Sequence, residues 1–178
     1  MAELMKFTKR KSQAAEASVQ AEQRKQYLAF TLGGESYAMD IRSIKEVIQF
    51  VNLTEVPLMP PFIRGIINLR DSVVPVIDLS VRFGRPPTEV ARRTCVVILE
   101  VVQQEESAVL GVMVDNVSEV LELGEHDIEP APAFGSNLRS EFISGVGKVG
   151  GKFVIVLNVH RILSAEEMAA LTTEQECG

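Results

Sequence analysis

The chain has 178 residues, of which 46% are hydrophobic and only 6% aromatic, with no Trp. A core of Val, Ile, Leu and Met favours strands, and a net charge of −6 excludes a typical nucleic-acid-binding protein, which carries a basic face. Two cysteines indicate no disulfide framework, and the sequence has neither an apolar secretory signal nor a run of about 18 apolar residues that would span a membrane. These features predict a cytoplasmic protein.

The first residues differ in composition from the rest of the chain. Residues 1–24 are rich in Ala, Gln, Glu and Lys and show no packing pattern, so we expect a flexible N-terminal tail. The apolar segments on either side of Gly33-Gly34 then predict a β-hairpin. Asp40 is a suitable N-cap, and we expect one or two helical turns over Ile41–Val47.

A proline-rich stretch at 57–61 predicts a loop before a second hairpin. The apolar segments 62–70 and 73–79 flank Asp71-Ser72, which we expect to form the tight turn. Pro75 cannot donate a ladder hydrogen bond, so its strand is expected to lie at an edge or to contain a bulge.

The second half repeats the strand pattern and ends in a helix signal. Apolar segments typical of strands occur at 94–102, 108–115 and 117–123. The segments 142–149 and 152–159, on either side of Gly150-Gly151, predict a further hairpin. Ser164 and Glu167 form a capping-box pattern, which predicts a C-terminal helix over 164–172 and a short tail at 173–178.

Two internal matches indicate that one β-rich unit is duplicated. At a shift of 80 residues, Phe62-Ile-Arg-Gly65 falls on Phe142-Ile-Ser-Gly145. At a shift of 73, Ile44–Ile48 falls on Val117–Leu121. The same elements occur in the same order in both halves, which predicts two similar folding units.

The duplication predicts two small units related by a pseudo-twofold axis, at roughly 25–90 and 91–163. Each unit has few residues for a core, so we expect the two to pack together and bury their remaining apolar faces. The seam between such units is a common place for ligands and partners to bind. We therefore expect a binding groove along the seam.

The sequence contains no convincing catalytic pattern. The two histidines, His126 and His160, share no metal-ligand spacing with each other or with the cysteines, and we expect both at the surface. No P-loop motif occurs. Carboxylates at turn or cap positions usually accept backbone N–H bonds, and this describes Asp71, Asp78 and Asp115. We predict no enzymatic activity, no metal and no cofactor.

The segment Arg64-Gly-Ile-Ile-Asn-Leu-Arg-Asp-Ser-Val-Val-Pro-Val-Ile-Asp-Leu79, followed by Arg82-Phe-Gly84, closely resembles the signature of the CheW family, the coupling proteins of bacterial chemotaxis. Further matches follow in family order at Gly111–Asp115, Val117–Leu121, Ile128–Pro132, Phe142–Gly145 and Val154–Asn158. The resemblance covers about residues 26–172. It implies a single domain over 25–172, made of two intertwined β-barrel subdomains at roughly 25–90 and 91–163 and the C-terminal helix.

The resemblance implies an all-β fold with short helices, in which two five-stranded Src-homology-3-like β-barrels lie side by side in a pseudo-twofold arrangement. It also implies a non-enzymatic scaffold. Such adaptors bridge the cytoplasmic hairpin tip of chemoreceptors to the C-terminal regulatory domain of the histidine kinase CheA. They form rings with that domain beneath membrane-associated receptor arrays.

Carried over by motif, the resemblance implies a receptor-facing groove with a few polar side chains among apolar ones: Ile44, Glu46, Val47, Asn68, Arg70, Val96 and Val117. A kinase contact would involve Arg64 and Gly65, since glycine permits close backbone approach. The chain departs from the family at Asp71, where the family usually has Gly. Asp tolerates the turn conformation, but its charge beside Arg70 could alter receptor preference.

Two alternatives remain open from the sequence. The same fold could serve a parallel chemosensory system that controls surface motility, pili or a second messenger. The second alternative is an enzyme with an unrecognised active site in the groove. A fragment of a kinase or of an adaptor–receiver fusion is disfavoured, because ATP-binding and receiver segments are lacking.

Overall fold

The computed structural model describes residues 24–103, 105–130, 142–163 and Glu167. Apart from Arg24 and Glu167, the two predicted tails and the predicted C-terminal helix lie outside the described residues. Within these ranges, no helix is both long and apolar enough to cross a membrane.

The described residues are mainly β-strands joined by short turns. The strands are β1 Lys25–Leu32, β2 Glu35–Asp40, β3 Ile44–Gln49, β4 Ile63–Leu69, β5 Ser72–Asp78, β6 Cys95–Gln103, β7 Glu106–Val114, β8 Asn116–Leu123, β9 Ile128–Glu129, β10 Ile143–Val149 and β11 Lys152–Leu157. A short helix, α1, spans Leu79–Arg82, and 3-10 turns span Ile41–Ser43, Glu125–Asp127 and Val159–Arg161.

The strands form two sheets, as the sequence predicted. The first sheet has the order β3-β6-β7-β5-β4, and the second has the order β8-β1-β2-β11-β10-β9. The sixth strand, β9, contributes only two residues. Apart from β9, the sheets share one topology, because β3, β4 and β5 hold the places that β8, β10 and β11 hold in the second sheet. The repeat read from the sequence is therefore present in the fold.

The sheets exchange strands between the two halves of the chain. Strands β1 and β2 join the second sheet, and β6 and β7 join the first. Each exchange is completed by one parallel pair, β5 with β7 and β2 with β11. Each sheet therefore contains strands from both halves of the chain.

Within the part of the chain that the structure describes, three apolar clusters form the core. One contains residues of the first sheet only, including Val96 and Ile98, and we call it the first-sheet core. A second contains residues of the second sheet only. The largest, the inter-sheet core, takes side chains such as Phe30, Val97 and Leu157 from both sheets. The centre of the seam is thus filled with side chains rather than open as the predicted groove.

The segment after Asp40 differs from the sequence prediction. Asp40 does act as a cap, because its carboxylate accepts the Arg42 N–H at 2.9 Å. Only a 3-10 turn follows, however, and Ile44–Gln49 form strand β3 instead of continuing a helix. The β-branched residues of this segment pair with β6, and that pairing outweighs the local helix signal.

Two smaller predictions are also corrected. The tight turn of the second hairpin is Arg70-Asp71 rather than Asp71-Ser72, because Leu69 pairs directly with Ser72. His126 is exposed as predicted, but His160 is partly buried. The Nδ1 atom of His160 accepts the Val102 N–H at 3.2 Å, so this histidine ties the 159–161 turn to β6.

Candidate functional site

Strand β3 is an edge strand of the first sheet and contains a β-bulge. Ile44 lies opposite Leu99, and Glu46 lies opposite the very next residue of β6, Ile98, so Lys45 is the extra residue. The bulge turns Ile44 and Val47 towards the side of the inter-sheet core, whereas Glu46 points to the side of the first-sheet core. A bulge also disrupts the free edge as a template for strand addition, which leaves side chains to make contacts there.

An ion pair joins the two edges of the first sheet. Arg70 Nη2 donates to a Glu46 carboxylate oxygen at 3.0 Å. Glu46 lies on edge strand β3, and Arg70 directly follows edge strand β4, in the turn that leads to β5. The first sheet is therefore curved enough for side chains from its two opposite edges to meet. The Arg70 side chain is 81% exposed, and such pairs contribute less than about 1 kcal/mol to stability.

The turn that carries Arg70 has an unfavourable backbone conformation for its residues. Arg70 and Asp71 have φ angles of 50° and 67°, as a two-residue type I′ turn requires. The corresponding turns of two other hairpins are Gly33-Gly34 and Gly150-Gly151. A side chain in the left-handed region costs on the order of 1 kcal/mol per residue. This turn therefore keeps two charged side chains at an energetic cost, which points to a role other than folding.

A pocket of about 400 Å³ opens beside this ion pair. The parallel strands β5 and β7 pair only from Val76 and Gly111 onwards, and their earlier residues diverge. The pocket occupies this divergence, with Glu46 and Arg70 on its wall. The other lining residues are Lys45, Leu69, Ser72, Val73, Val74, Pro75, Ile98, Ser107, Ala108, Val109 and Leu110.

The residues assigned to the receptor by motif are only partly brought together. Glu46 and Arg70 are in direct contact, and the exposed Asn68 lies on the same hairpin beside Val73. On the other face of β3, Val47 is 40% exposed and Ile44 is partly buried. These five residues share one region of the first sheet.

The other two residues assigned to the receptor, Val96 and Val117, lie outside this region. Val96 is completely buried in the first-sheet core and presents no surface to a partner. Val117 is partly buried on β8, which belongs to the second sheet. It packs against the inter-sheet core.

Arg64 and Gly65, assigned to the kinase by motif, both make internal contacts. Arg64 Nη1 donates to Asp78 Oδ2 at 3.0 Å and to the Thr88 carbonyl at 3.2 Å. A Cβ atom at Gly65 would lie 2.7 Å from the carbonyl oxygen of Thr54, so the close approach that glycine permits is made by the chain's own loop.

The completely buried Asp78 is the centre of a hydrogen-bond network. Its carboxylate caps α1 through the Ser80 N–H at 3.1 Å, and it accepts the Thr88 N–H at 2.9 Å and the Thr88 hydroxyl at 2.7 Å. With the Arg64 bond, both carboxylate oxygens are fully used. The network fixes the linker after α1 against the first sheet.

The linker is also fixed to the second sheet, through Arg85. Arg85 donates to Glu35 at 2.8 Å, and Tyr37 donates its hydroxyl to the same carboxylate at 3.0 Å. Burial, and then the hydrogen bond to Glu35, raise the pKa of Tyr37 to about 12. The hydrogen bond from Arg85 lowers the pKa of Glu35 below its usual value. Both groups therefore keep their structural protonation states at neutral pH.

Sequence reasoning missed the pocket wall formed by residues 107–110. These residues have an ordinary strand pattern, and their approach to β5 depends on a parallel pairing between distant segments. The positive φ angles at Arg70 and Asp71 had a weak signal, namely the Gly-Gly pair at the matching positions 150 and 151. No group of three or more His, Cys, Asp or Glu suited to a metal occurs among the described residues.

A family model described as the CheW-like domain matches residues 26–167. The chain belongs to the CheW family. The chemotaxis protein CheW of Klebsiella aerogenes is 38% identical over 144 residues, which cover 81% of this chain and 84% of that protein. The chemotaxis protein CheW of Bacillus subtilis is 28% identical over 148 residues, covering 83% and 92%.

The fold agrees with a solved structure of the same family. The scaffolding protein TtCheW from Thermoanaerobacter tengcongensis superposes with a TM-score of 0.71 at 34% identity, over 80% of this chain and 90% of that chain. The predicted fold class, two Src-homology-3-like β-units side by side, is thereby confirmed. The family is one of chemotaxis adaptors and scaffolds.

Proposed function

We propose that this chain is a non-enzymatic adaptor that couples the cytoplasmic tips of chemoreceptors to the histidine kinase CheA. The observation that carries the proposal is the Glu46–Arg70 pair, held on a strained turn at the rim of a pocket. Membership of the chemotaxis adaptor family supports it. The chain would work in the cytoplasm and reach the membrane only through its receptors.

The pair is suited to recognition because both groups can exchange partners. Arg70 is largely exposed, and Glu46 is reached from solvent beside the pocket. A partner that supplies a carboxylate or a donor can therefore replace or extend the pair without unfolding the sheet. Arginine is enriched at the energetically dominant positions of protein interfaces, where its planar donors fix the geometry.

The free edge of β3 lets one helix reach both faces of the first sheet. On one face it would contact Glu46 and Arg70, and on the other Val47 and the edge of Ile44. An amphipathic helix binds in this way, with apolar anchors and a few polar contacts. Asn68 extends the polar side. Val96 and Val117 would affect receptor binding indirectly, because their packing in the core shapes the two sheets.

The kinase contact is proposed on the surface around Arg64, with Gly65 acting from within by letting the chain at Thr54 pack closely. One third of the Arg64 side chain is exposed while its guanidinium holds Asp78, so a partner would meet a surface that is already ordered. Substitution there would change the linker as well as the contact.

The test is purification of the tagged full-length protein from its own cells, with the bound partners identified by mass spectrometry. We expect chemoreceptors and CheA in the same complex. Recovery of a different kinase and receptor set would place the adaptor in a parallel pathway for surface motility, pili or a second messenger. Recovery of neither class, together with no binding of purified receptor fragments or kinase, would overturn the proposal.

A further inference from the structure

Two adjacent arginines occupy a hydrogen-bonded turn just before β6. The Ala91 N–H donates to the Thr94 hydroxyl at 2.8 Å, and the Thr94 N–H donates to the Ala91 carbonyl at 3.2 Å. Thr94 is itself buried, so the turn is anchored at its end. Arg92 and Arg93 are its two central residues, and both are exposed.

This turn lies beside the exposed end of β3. The Phe50 N–H donates to the Thr94 carbonyl at 3.0 Å, and Gln49 lies opposite Cys95. Continuing that register places Arg93 across from Val51. Val47 and Val51 are 40% and 48% exposed, and we call the segment from Val47 to Val51 the β3 strip. The strip is about 13 Å long, which matches between two and three turns of a helix.

The arginines of this turn differ from those nearby in having no acidic partner. Arg64, Arg70 and Arg85 each form an ion pair with a carboxylate. No ion pair or side-chain hydrogen bond joins Arg92 or Arg93 to any residue that the structure describes. In a chain of net charge −6, the turn is thus a local positive site next to an apolar strip.

We propose that the β3 strip and the Arg92-Arg93 turn form one docking surface, which takes a helix of the receptor tip with acidic residues along one side. The apolar side of that helix would cover Val47 and Val51. Its carboxylates would pair with the arginines, whose forked donors suit carboxylates. The inference rests on the proposed function and deepens it, because it specifies the charge of the preferred receptor.

The arginines would act mainly on selectivity and association rate. Charges at the rim of an interface steer the encounter and make the affinity depend on salt. Val47 is also part of the receptor surface proposed above, so the turn extends that surface along the same strand. Receptors without acidic residues at this place would bind less tightly.

The experiment measures binding of the full-length protein to a purified cytoplasmic fragment of a co-purified receptor, at low and at high salt. The test variant is R92Q/R93Q. The matched control is K148Q/K152Q, which removes the same charge from two exposed lysines on the β10–β11 hairpin. We expect R92Q/R93Q to bind about 5-fold more weakly at low salt, with a reduced salt dependence, and the control to bind like the wild type. Replacing the acidic residues of the receptor tip with Gln should abolish the difference between R92Q/R93Q and wild type.

Each other outcome contradicts a distinct claim. Wild-type affinity and salt dependence in R92Q/R93Q would overturn this inference alone, while failure of the wild-type protein to bind any receptor fragment would overturn the proposed function with it. A membrane contact is tested with vesicles of phosphatidylglycerol and phosphatidylethanolamine. If the arginines are needed for vesicle binding but not for receptor binding, the surface is a lipid site and the inference is wrong. Because both side chains are exposed and unpaired among the described residues, we expect the variants to melt like the wild type.

Discussion

The β4–β5 and β10–β11 hairpins occupy equivalent places in the two sheets but differ in chemistry. Both end in a two-residue turn with two positive φ angles, formed by Arg70-Asp71 in one and by Gly150-Gly151 in the other. The glycine turn is relaxed, whereas the charged turn is strained and pairs with Glu46. The two hairpins thus share one turn backbone, and of these two only the β4–β5 hairpin has charged residues in its turn.

The same two hairpins also differ at their bases, which we define as the residues where β5 and β11 end. Asp78 ends β5 and accepts bonds from Arg64, Ser80 and Thr88 while completely buried. Its counterpart Asn158 follows β11 and caps the next turn through the His160 N–H at 3.2 Å. Both residues are caps, but only Asp78 also organises a linker. The β4–β5 hairpin therefore combines a structural base with the tip that we propose for recognition.

The largest effect is expected at the two bases, in the paired variants D78A and N158A. D78A leaves the Arg64 guanidinium and the Thr88 groups without their buried partner, and should lower the free energy of unfolding by about 3–5 kcal/mol. N158A removes a single cap and should cost about 1 kcal/mol. Urea denaturation of both variants checks this. Equal losses would show that the Asp78 network adds nothing beyond a cap.

The next effect concerns function at the tips, in R70A and K148A. R70A should weaken binding to a receptor fragment about 10-fold, as loss of a central interface arginine does. Its free energy of unfolding should change by less than about 1 kcal/mol, because the ion pair is exposed. K148A removes an exposed cation from the other hairpin and should leave receptor affinity unchanged.

Calorimetric binding and thermal melting separate the possible outcomes. Loss of cooperative melting in R70A would show that the residue is structural. Equal weakening in K148A would show that overall charge matters rather than the position of the Arg70 side chain.

The duplication and the hairpins could be predicted from the sequence because both depend on local patterns, namely apolar segments on either side of turn residues. The 80-residue shift identified equivalent hairpins, and Asp40 and Asp78 were placed at caps, as the structure confirms. Strand β3 was missed because Asp40 followed by a short apolar segment also fits a helix start. Only the partner strand β6, about 50 residues later, decides between the two.

The site was less predictable than the fold. Motif similarity placed Glu46 and Arg70 in one surface, and the structure brings them into contact. The same transfer included Val96, which is completely buried. The kinase role that it implies for Arg64 stays a prediction, and the hydrogen bonds that Arg64 forms in the structure are internal. Burial and long-range hydrogen bonding depend on how the sheets exchange strands, which the local pattern does not contain. The pocket depends on the divergence of β5 and β7 and was not foreseen for the same reason.

The smallest effect is expected from exchanging turn residues between the hairpins, in D71G and G151D. Asp71 has a φ of 67°, so D71G should relieve strain and raise the free energy of unfolding by up to about 1 kcal/mol. Gly151 has a φ of 81°, so G151D should introduce strain and lower the free energy of unfolding by a similar amount. Urea denaturation under identical conditions measures both changes. Destabilisation by D71G would mean that the Asp71 side chain makes a favourable contribution and that the first turn is not strained. If the stability changes as expected and D71G also alters receptor affinity, then the first hairpin retains its strained turn for recognition.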